Sequence, residues 1–496
     1  MNRSALIILL LFILILSGPQ SYSQERPNLI LMMGDDHGWE ETGYNGHPHV
    51  KTPVLDEMAK TGLRLDRFYS GHSSCSPTRG SFMTGRHPNR YGTFTPGCSL
   101  RPEEITLAQL LKQSGYSTAH FGKWHLGPVK KASLTNPAAM GFDHYVSHDN
   151  FFELDPQFSI NGGPPTLFKG ESSEIVIDET IKFIEGVKQK PFLAVVWFGS
   201  PHEPYQGLPE DLALYKDLPA KYPDKMVSLT SNETGTQTKR PLGDVLQERY
   251  AEITAMDRAI GKLRDYLKQQ QLRDNTLVLY CGDNGTPRSG VLASPLRGQK
   301  GQIYEGGTRV PGIIEWPAQI QTPRISDVNT VTSDLLPTVC SLAGVSLPNR
   351  PLDGVDLVPL LKGKMAERPQ PICFWHYNMG RDAKNGSYID AELQKGTTPL
   401  VKLSGGIPTR NFKNYKHPTI TEGDYEGDRS IVGNQYKLIL KKSSKGTKSE
   451  LYDLRKDPAE KNNLSDAEPE ITNRLQQELK QWQDSVLKSL TGADYQ

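Results

Sequence analysis

Three short apolar runs, each cut off by polar side chains, constrain the fold of this chain more than any other feature. Residues 28–33 end at Gly34-Asp35-Asp36, residues 192–198 end just before Ser200-Pro201-His202, and residues 276–281 end at Gly282-Asp283-Asn284-Gly285. Runs this short, with no polar alternation, fit strands buried on both faces, as in a sheet covered by helices. Helical periods fill the intervals. Ile177, Ile181, Ile184 and Val187 share one face of residues 174–188, and Tyr250, Ile253, Met256, Ile260, Leu263 and Leu267 do so within 244–269. Thr52-Pro53 starts another helix that Gly62 stops, Thr106 caps one over 107–114, and residues 116–121 read as a further strand. The pattern is that of an α/β fold with a large central mixed β-sheet flanked by helices. Ligands on such sheets gather where strands end, and the three polar stops fall there.

Beyond Gly363 the pattern changes. Residues 374–377, 431–432 and 436–441 read as strands of a smaller sheet, and Leu475, Leu479, Trp482 and Val486 share one face of a terminal helix. A smaller C-terminal α+β subdomain with an antiparallel sheet is therefore expected, with a linker at 364–370 separating a domain over 24–370 from one over 371–496. Residues 205–241 and 383–427 lack strong periodicity and read as long loops. At the start, Arg3, an apolar run over 5–16 and small polar residues to Ser23 have the form of a signal peptide over 1–23. The run is too short to span a bilayer, so a secreted or periplasmic protein without a stable membrane span is expected. The net charge of +1 favours neither nucleic acid nor an anionic membrane surface as partner. Cys75, Cys98, Cys281, Cys340 and Cys373 are sparse and lack zinc-finger spacing. Their odd number, in an exported chain, calls for an explanation.

Several groups carry chemistry. Asp35-Asp36 and Asp283-Asn284 each follow a strand. Either pair alone reads as a turn cap, but parallel neighbouring strands would join them into an all-oxygen site for a hard cation, Ca²⁺ or Mg²⁺. In Gly122-Lys123-Trp124-His125, a short extended stretch would point Lys123 and His125 the same way, a cation beside a titratable base. His202 sits in a proline-stiffened loop, and Lys300 follows Arg297-Gly298-Gln299, where it would meet an anion. His47, His49, His72, Arg101 and residues 148–150 are further candidates to line a pocket.

Cys75-Ser76-Pro77-Thr78-Arg79-Gly80, followed by Met83-Thr84-Gly85-Arg86, resembles the signature of the formylglycine-dependent sulfatases, in the alkaline-phosphatase-like superfamily. Further matches fall at 334–338, 352–355 and 451–454, then Asp457-Pro458 and Glu460, so the resemblance runs from about Pro27 to Ser465. It implies that Cys75 is oxidised to formylglycine by a formylglycine-generating enzyme and hydrated to a geminal diol. It further implies that Asp35, Asp36, Asp283 and Asn284, with the modified Cys75, bind Ca²⁺ (Mg²⁺ is the second choice). Arg79 and Lys123 would steady the diol, His202 and Lys300 would sit by the sulfate and its bridging oxygen, and Ser147 matches a substrate-site serine. His125 is the base chosen for releasing sulfate. Thr78 stands where serine is common, Met83 where leucine is common, and Cys281-Gly282 replaces the usual small polar pair; none removes a needed group. The implied activity is hydrolysis of sulfate esters, with a sulfated carbohydrate (polysaccharide or glycosaminoglycan) as the expected substrate. Two other readings stay open: a phosphate- or phosphonate-monoester hydrolase on the same scaffold, and a catalytically silent carbohydrate-binding homologue. The first would usually bring more metal ligands, histidines included.

Overall fold

The computed structural model describes residues 26–230, 237–290, 292, 294–377, 388–395, 398, 412–443 and 446–495. The expected signal peptide lies outside them, as does much of 383–427. The central sheet has ten strands: β1 (Asn28–Gly34), β2 (Leu63–Leu65), β3 (Ser117–Lys123), β4 (His144–His148), β5 (Gln157–Ile160), β6 (Pro165–Leu167), β7 (Phe192–Trp197), β8 (Thr276–Gly282), β9 (Gly312–Glu315) and β10 (Arg324–Ser326). Their order across the sheet is β10-β2-β9-β8-β1-β7-β3-β4-β5-β6. The stretch from β8 to β4 is parallel, and β9 and β5 join it antiparallel on either side.

Strand alternation divides the core in two. Leu29, Leu31 and Met33 of β1 enter one cluster, whereas Ile30 and Met32 enter the other; β7 splits the same way, Leu193, Val195 and Trp197 against Ala194 and Val196. The first cluster takes residues from α2 (Cys75–Thr84), α3 (Leu107–Gln113) and α6 (Leu335–Ala343). The second takes residues from α1 (Pro53–Thr61), α4 (Ser172–Val187) and α5 (Leu242–Gln269). Each buried Leu, Ile or Val contributes about 1.5–3 kcal/mol, so both faces of the sheet are fixed, and with them the places where its strands end.

The second sheet is antiparallel throughout: β11 (Ile372–Trp375), β12 (Arg429–Val432), β13 (Tyr436–Ser443) and β14 (Gly446–Asp453). One face packs Ile431, Leu438, Leu440 and Leu451 against Leu475 and Leu479 of α7 (Pro469–Leu490). The other packs Ile372, Phe374, Val432 and Ile439 against Tyr69, Ile303, Tyr304 and Val331 of the larger part. At this seam the buried Lys437 amine lies 2.9 Å from both Glu305 and Glu460 carboxylates.

Two local expectations are corrected. Residues 205–241 are not a featureless loop: they hold helices Pro209–Ala213 and Leu218–Lys221 and a hairpin pairing Met226–Thr230 with Gln237–Pro241. Elements of four or five residues are too short to display a period. The strand expected over 116–121 continues to Lys123, because Gly122 pairs with Trp197 and Ser147 on either side. All five cysteines are free and buried.

Candidate active site

Register creates the site. β1 and β8 pair in parallel with Gly34 opposite Gly282, so Asp35-Asp36 and Asp283-Asn284 leave the sheet side by side. Glycine is required at 282, where a Cβ would lie 2.1 Å from the His37 carbonyl oxygen. Asp36 takes the left-handed backbone region (φ 62°), and its N–H donates to Asp283 Oδ1 at 2.8 Å. Asn284 Nδ2 donates to Asp36 Oδ1 (2.9 Å) and to the Gly285 carbonyl (3.0 Å), turning its own oxygen the other way.

Cys75 is the first residue of the buried helix α2, at the end where unpaired backbone N–H groups give partial positive charge. Its sulfur is 3.9 Å from Asp36 Oδ1. Arg79 lies one turn on, on the same face. Its guanidinium donates to Asp283 Oδ2 at 3.2 Å and to the Lys123 carbonyl at 3.1 Å, and stands 3.6 Å from Asp35 Oδ1. The Lys123 amine, at the end of β3, bonds Asp35 Oδ2. The Lys300 amine meets Asp36 Oδ1 at 2.6 Å and Oδ2 at 2.7 Å. His202 Nε2 is 3.7 Å from Asp36 Oδ2, and its ring stacks on Phe151 at 4.7 Å between centroids.

Three carboxyl groups and three cations thus share one buried cluster. Burial alone would raise Asp35 and Asp36, but Lys123 and Lys300 respectively, with His202, hold them below the usual carboxylate range. Asp283 is the exception: burial and the Asp35 charge push it up to about 8, with Arg79 opposing. Burial pushes the Cys75 thiol up, against Lys123 and Lys300. Burial also pushes His202 down to about 4, against Asp36.

The cluster fits a metal ion. Asp35 Oδ1 and Asn284 Oδ1 are buried without a hydrogen-bond partner. Ligand atoms of Asp35, Asp36, Cys75 and His202 all lie within 4.8 Å of one another. Buried lone pairs without donors cost about 1–3 kcal/mol each, and a cation would offset that cost.

His125 departs from its expected place. It is not on an extended stretch with Lys123: the strand ends there, Trp124 N–H donates to the His148 carbonyl at 2.8 Å, and His125 adopts φ 55°. Its ring meets Phe412 edge-on at 5.9 Å. Ser147 lies on β4, buried, with its hydroxyl 2.7 Å from His120 Nδ1. Of the pocket candidates, His47 packs on Tyr250 and His49 on Tyr222, Arg101 lies over the Tyr495 ring, and Asp149 accepts from Thr398 N–H at 2.9 Å. His72 faces His376, whose Nε2 is 2.8 Å from Ser73 Oγ, two residues before α2 begins at Cys75.

Sequence reasoning missed Arg249 and Glu41. Arg249, on the buried face of α5, pairs with Glu41 (2.7 and 2.6 Å), donates to the Asp36 carbonyl at 2.7 Å and to the Pro201 carbonyl at 2.5 Å. One side chain therefore ties the Asp36 turn to the loop of His202. An arginine beside the apolar stripe of a long helix was the only local signal.

The family model described as Sulfatase matches residues 27–345. Arylsulfatase A of Homo sapiens is 32% identical over 482 residues, covering 91% of this chain and 86% of that protein. N-acetylgalactosamine-6-sulfatase of Mus musculus is 30% identical over 392 residues, covering 70% of this chain and 68% of that protein. The crystal structure of Ps i-CgsB shares the fold, with a TM-score of 0.74 at 23% identity over 93% of each chain.

Proposed function

From the premise that the chain belongs to the sulfatase family and is a sulfuric ester hydrolase, we propose that it desulfates a carbohydrate, using a formylglycine hydrate formed at Cys75 beside Ca²⁺. The observation that carries this is the setting of Cys75. A thiol at the head of a buried helix, pushed toward its neutral form by burial, is a poor nucleophile and a poor ligand for a hard cation. An aldehyde hydrate on the same carbon offers two hydroxyl oxygens, which suit both tasks.

Asp35, Asp36, Asp283 and Asn284 would hold the calcium ion, which supplies positive charge against the sulfate oxygens. Lys123 and Lys300 add fixed cationic charge where the sulfuryl group must lose its repulsion. One hydroxyl of the hydrate would bond to sulfur, passing its proton to the Asp36 carboxylate beside residue 75, as the bond from sulfur to the sugar oxygen breaks. Lys300, kept cationic by Asp36 against the effect of burial, stands ready to protonate the leaving oxygen, with neutral His202 beside it. His125 would then take the proton of the second hydroxyl as the carbon–oxygen bond to sulfate breaks, which would restore the aldehyde for rehydration. Ser147 is assigned to the substrate site with His202 and Lys300. An unmodified serine could not release product in this way, having no second hydroxyl.

The carbohydrate assignment draws on the N-acetylgalactosamine-6-sulfatase similarity and on the expected export through residues 1–23. Among the described residues, no helix is long and apolar enough to cross a membrane. A secreted or periplasmic enzyme, matured by a formylglycine-generating enzyme, accords with both. The test is sulfate release from a panel of regiochemically defined sulfated saccharides by protein of confirmed aldehyde content. Release from at least one member, abolished in a folded Cys75→Ala variant, is expected. Faster turnover of an aryl phosphate than of the matched aryl sulfate would overturn the assignment.

A further inference from the structure

We propose that a cavity beside Lys300 binds a second anionic group of the substrate, a sulfate or carboxylate on the sugar next to the one bearing the scissile sulfate. This deepens the carbohydrate reading above and rests on it. The cavity has a volume of about 450 Å³, within the range of ligand pockets. Its polar lining comes from Lys225, Ser228, Arg288, Ser289 and Gln299, and Leu242 adds an apolar patch on which a sugar face can rest. No carboxylate is among these lining residues. The site cations are all engaged by aspartates, but among the described residues the charged side chains of Lys225 and Arg288 have neither an ion-pair nor a hydrogen-bond partner. Two unpaired cations facing one cavity form a receptor for an anion, with the Arg fork suited to the planar faces of carboxylate and sulfate.

The cavity adjoins the reaction centre through the chain itself. Gln299 precedes Lys300, and consecutive Cα atoms are about 3.8 Å apart. Lys300 N–H donates to the Thr286 carbonyl at 3.0 Å, joining Lys300 to the segment that carries Arg288 and Ser289. The Ser289 hydroxyl lies 3.0 Å from Tyr205 OH, which Arg249 meets at 3.2 Å, and Arg249 holds the Asp36 carbonyl. On this proposal, a sugar whose sulfate reaches Lys300 sets its neighbour toward Lys225 and Arg288.

The test uses three disaccharides with the same scissile sulfate, in which the neighbouring ring carries no anion, a sulfate or a carboxylate. Dissociation constants are measured with Cys75→Ala protein, and kcat/KM with aldehyde-bearing protein. At low ionic strength the doubly anionic ligands should bind about five- to ten-fold tighter than the singly anionic one, falling within two-fold of it in a Lys225→Ala/Arg288→Ala background. High salt should erase the preference in the parent. The better of the sulfate and carboxylate arms identifies the group. Equal binding of all three ligands, or a preference that survives the double substitution, overturns the proposal. Failure of aldehyde-bearing protein to turn over any sulfate ester would instead bring down the functional reading, while the binding arm still decides the cavity.

Discussion

Removing the Arg249 side chain tests the framework that holds the site. In Arg249→Met the guanidinium loses its two bonds to Glu41 and its bonds to the Asp36 and Pro201 carbonyls. Glu41 is left as a buried carboxylate without its cation, a defect that costs about 3–5 kcal/mol out of a total of about 5–15 kcal/mol. The double variant Glu41→Gln/Arg249→Met removes the orphaned charge and should recover about half or more of the loss, which a double-mutant cycle reads as coupling. Activity should not follow stability. The double variant still lacks the clamp between the Asp36 turn and the His202 loop, and misplacement of about 1 Å costs roughly 10²-fold in rate. Guanidinium unfolding and steady-state kinetics on the same preparations separate the two effects. A single variant within 1 kcal/mol of native, or a double variant that regains full kcat, would refute the clamp.

Lys300→Met should reduce kcat for an aryl sulfate by about 10²–10³-fold, as expected when one preorganised charge is removed from a transition state, and should also lower the Tm, because buried Asp36 loses its principal cation. Chelation of divalent ions should abolish turnover and lower the Tm, and Ca²⁺ should restore both more fully than Mg²⁺; at a concentration 100 times the Kd the stabilisation is about 2.7 kcal/mol. Asp353 accepts bonds from Arg90 (2.7 and 2.8 Å), His87 N–H (2.6 Å) and Trp482 Nε1 (2.8 Å), joining α7 to the region after α2. Asp353→Asn should therefore cost about 3–5 kcal/mol in chemical denaturation at pH 7. Burial would raise this carboxyl, but Arg90 holds it below its ordinary value of 3.8, so its contribution is full above that pH and fades as acid titrates the folded form. The gap between parent and variant should accordingly close as the pH falls.

The strands that build the site were legible because each is short, wholly apolar and stopped by a polar pair, a pattern that survives without long-range information. The parallel neighbours that such strands require then bring Asp35-Asp36 to Asp283-Asn284. The long helix α5 was legible from its period, yet Arg249 within it was not, because its partner Glu41 lies 208 residues away. The pairing of Lys123 with His125 on one extended stretch failed because backbone conformation, here φ 55° at a non-glycine residue, is decided by packing around it. The hairpin that walls the cavity beside Lys300 is not legible in the sequence, since five-residue strands give no distinguishing alternation. Contacts that the C-terminal part makes near the site, His376 to Ser73 and Phe412 to His125, cross the whole chain and leave no local trace.

Peptide mass analysis of purified, catalytically competent enzyme tests the chemistry at Cys75 most directly. The side chain at that position should be an aldehyde, in proportion to specific activity across preparations matured to different extents. Full activity in a preparation whose Cys75 remains entirely a thiol would contradict it.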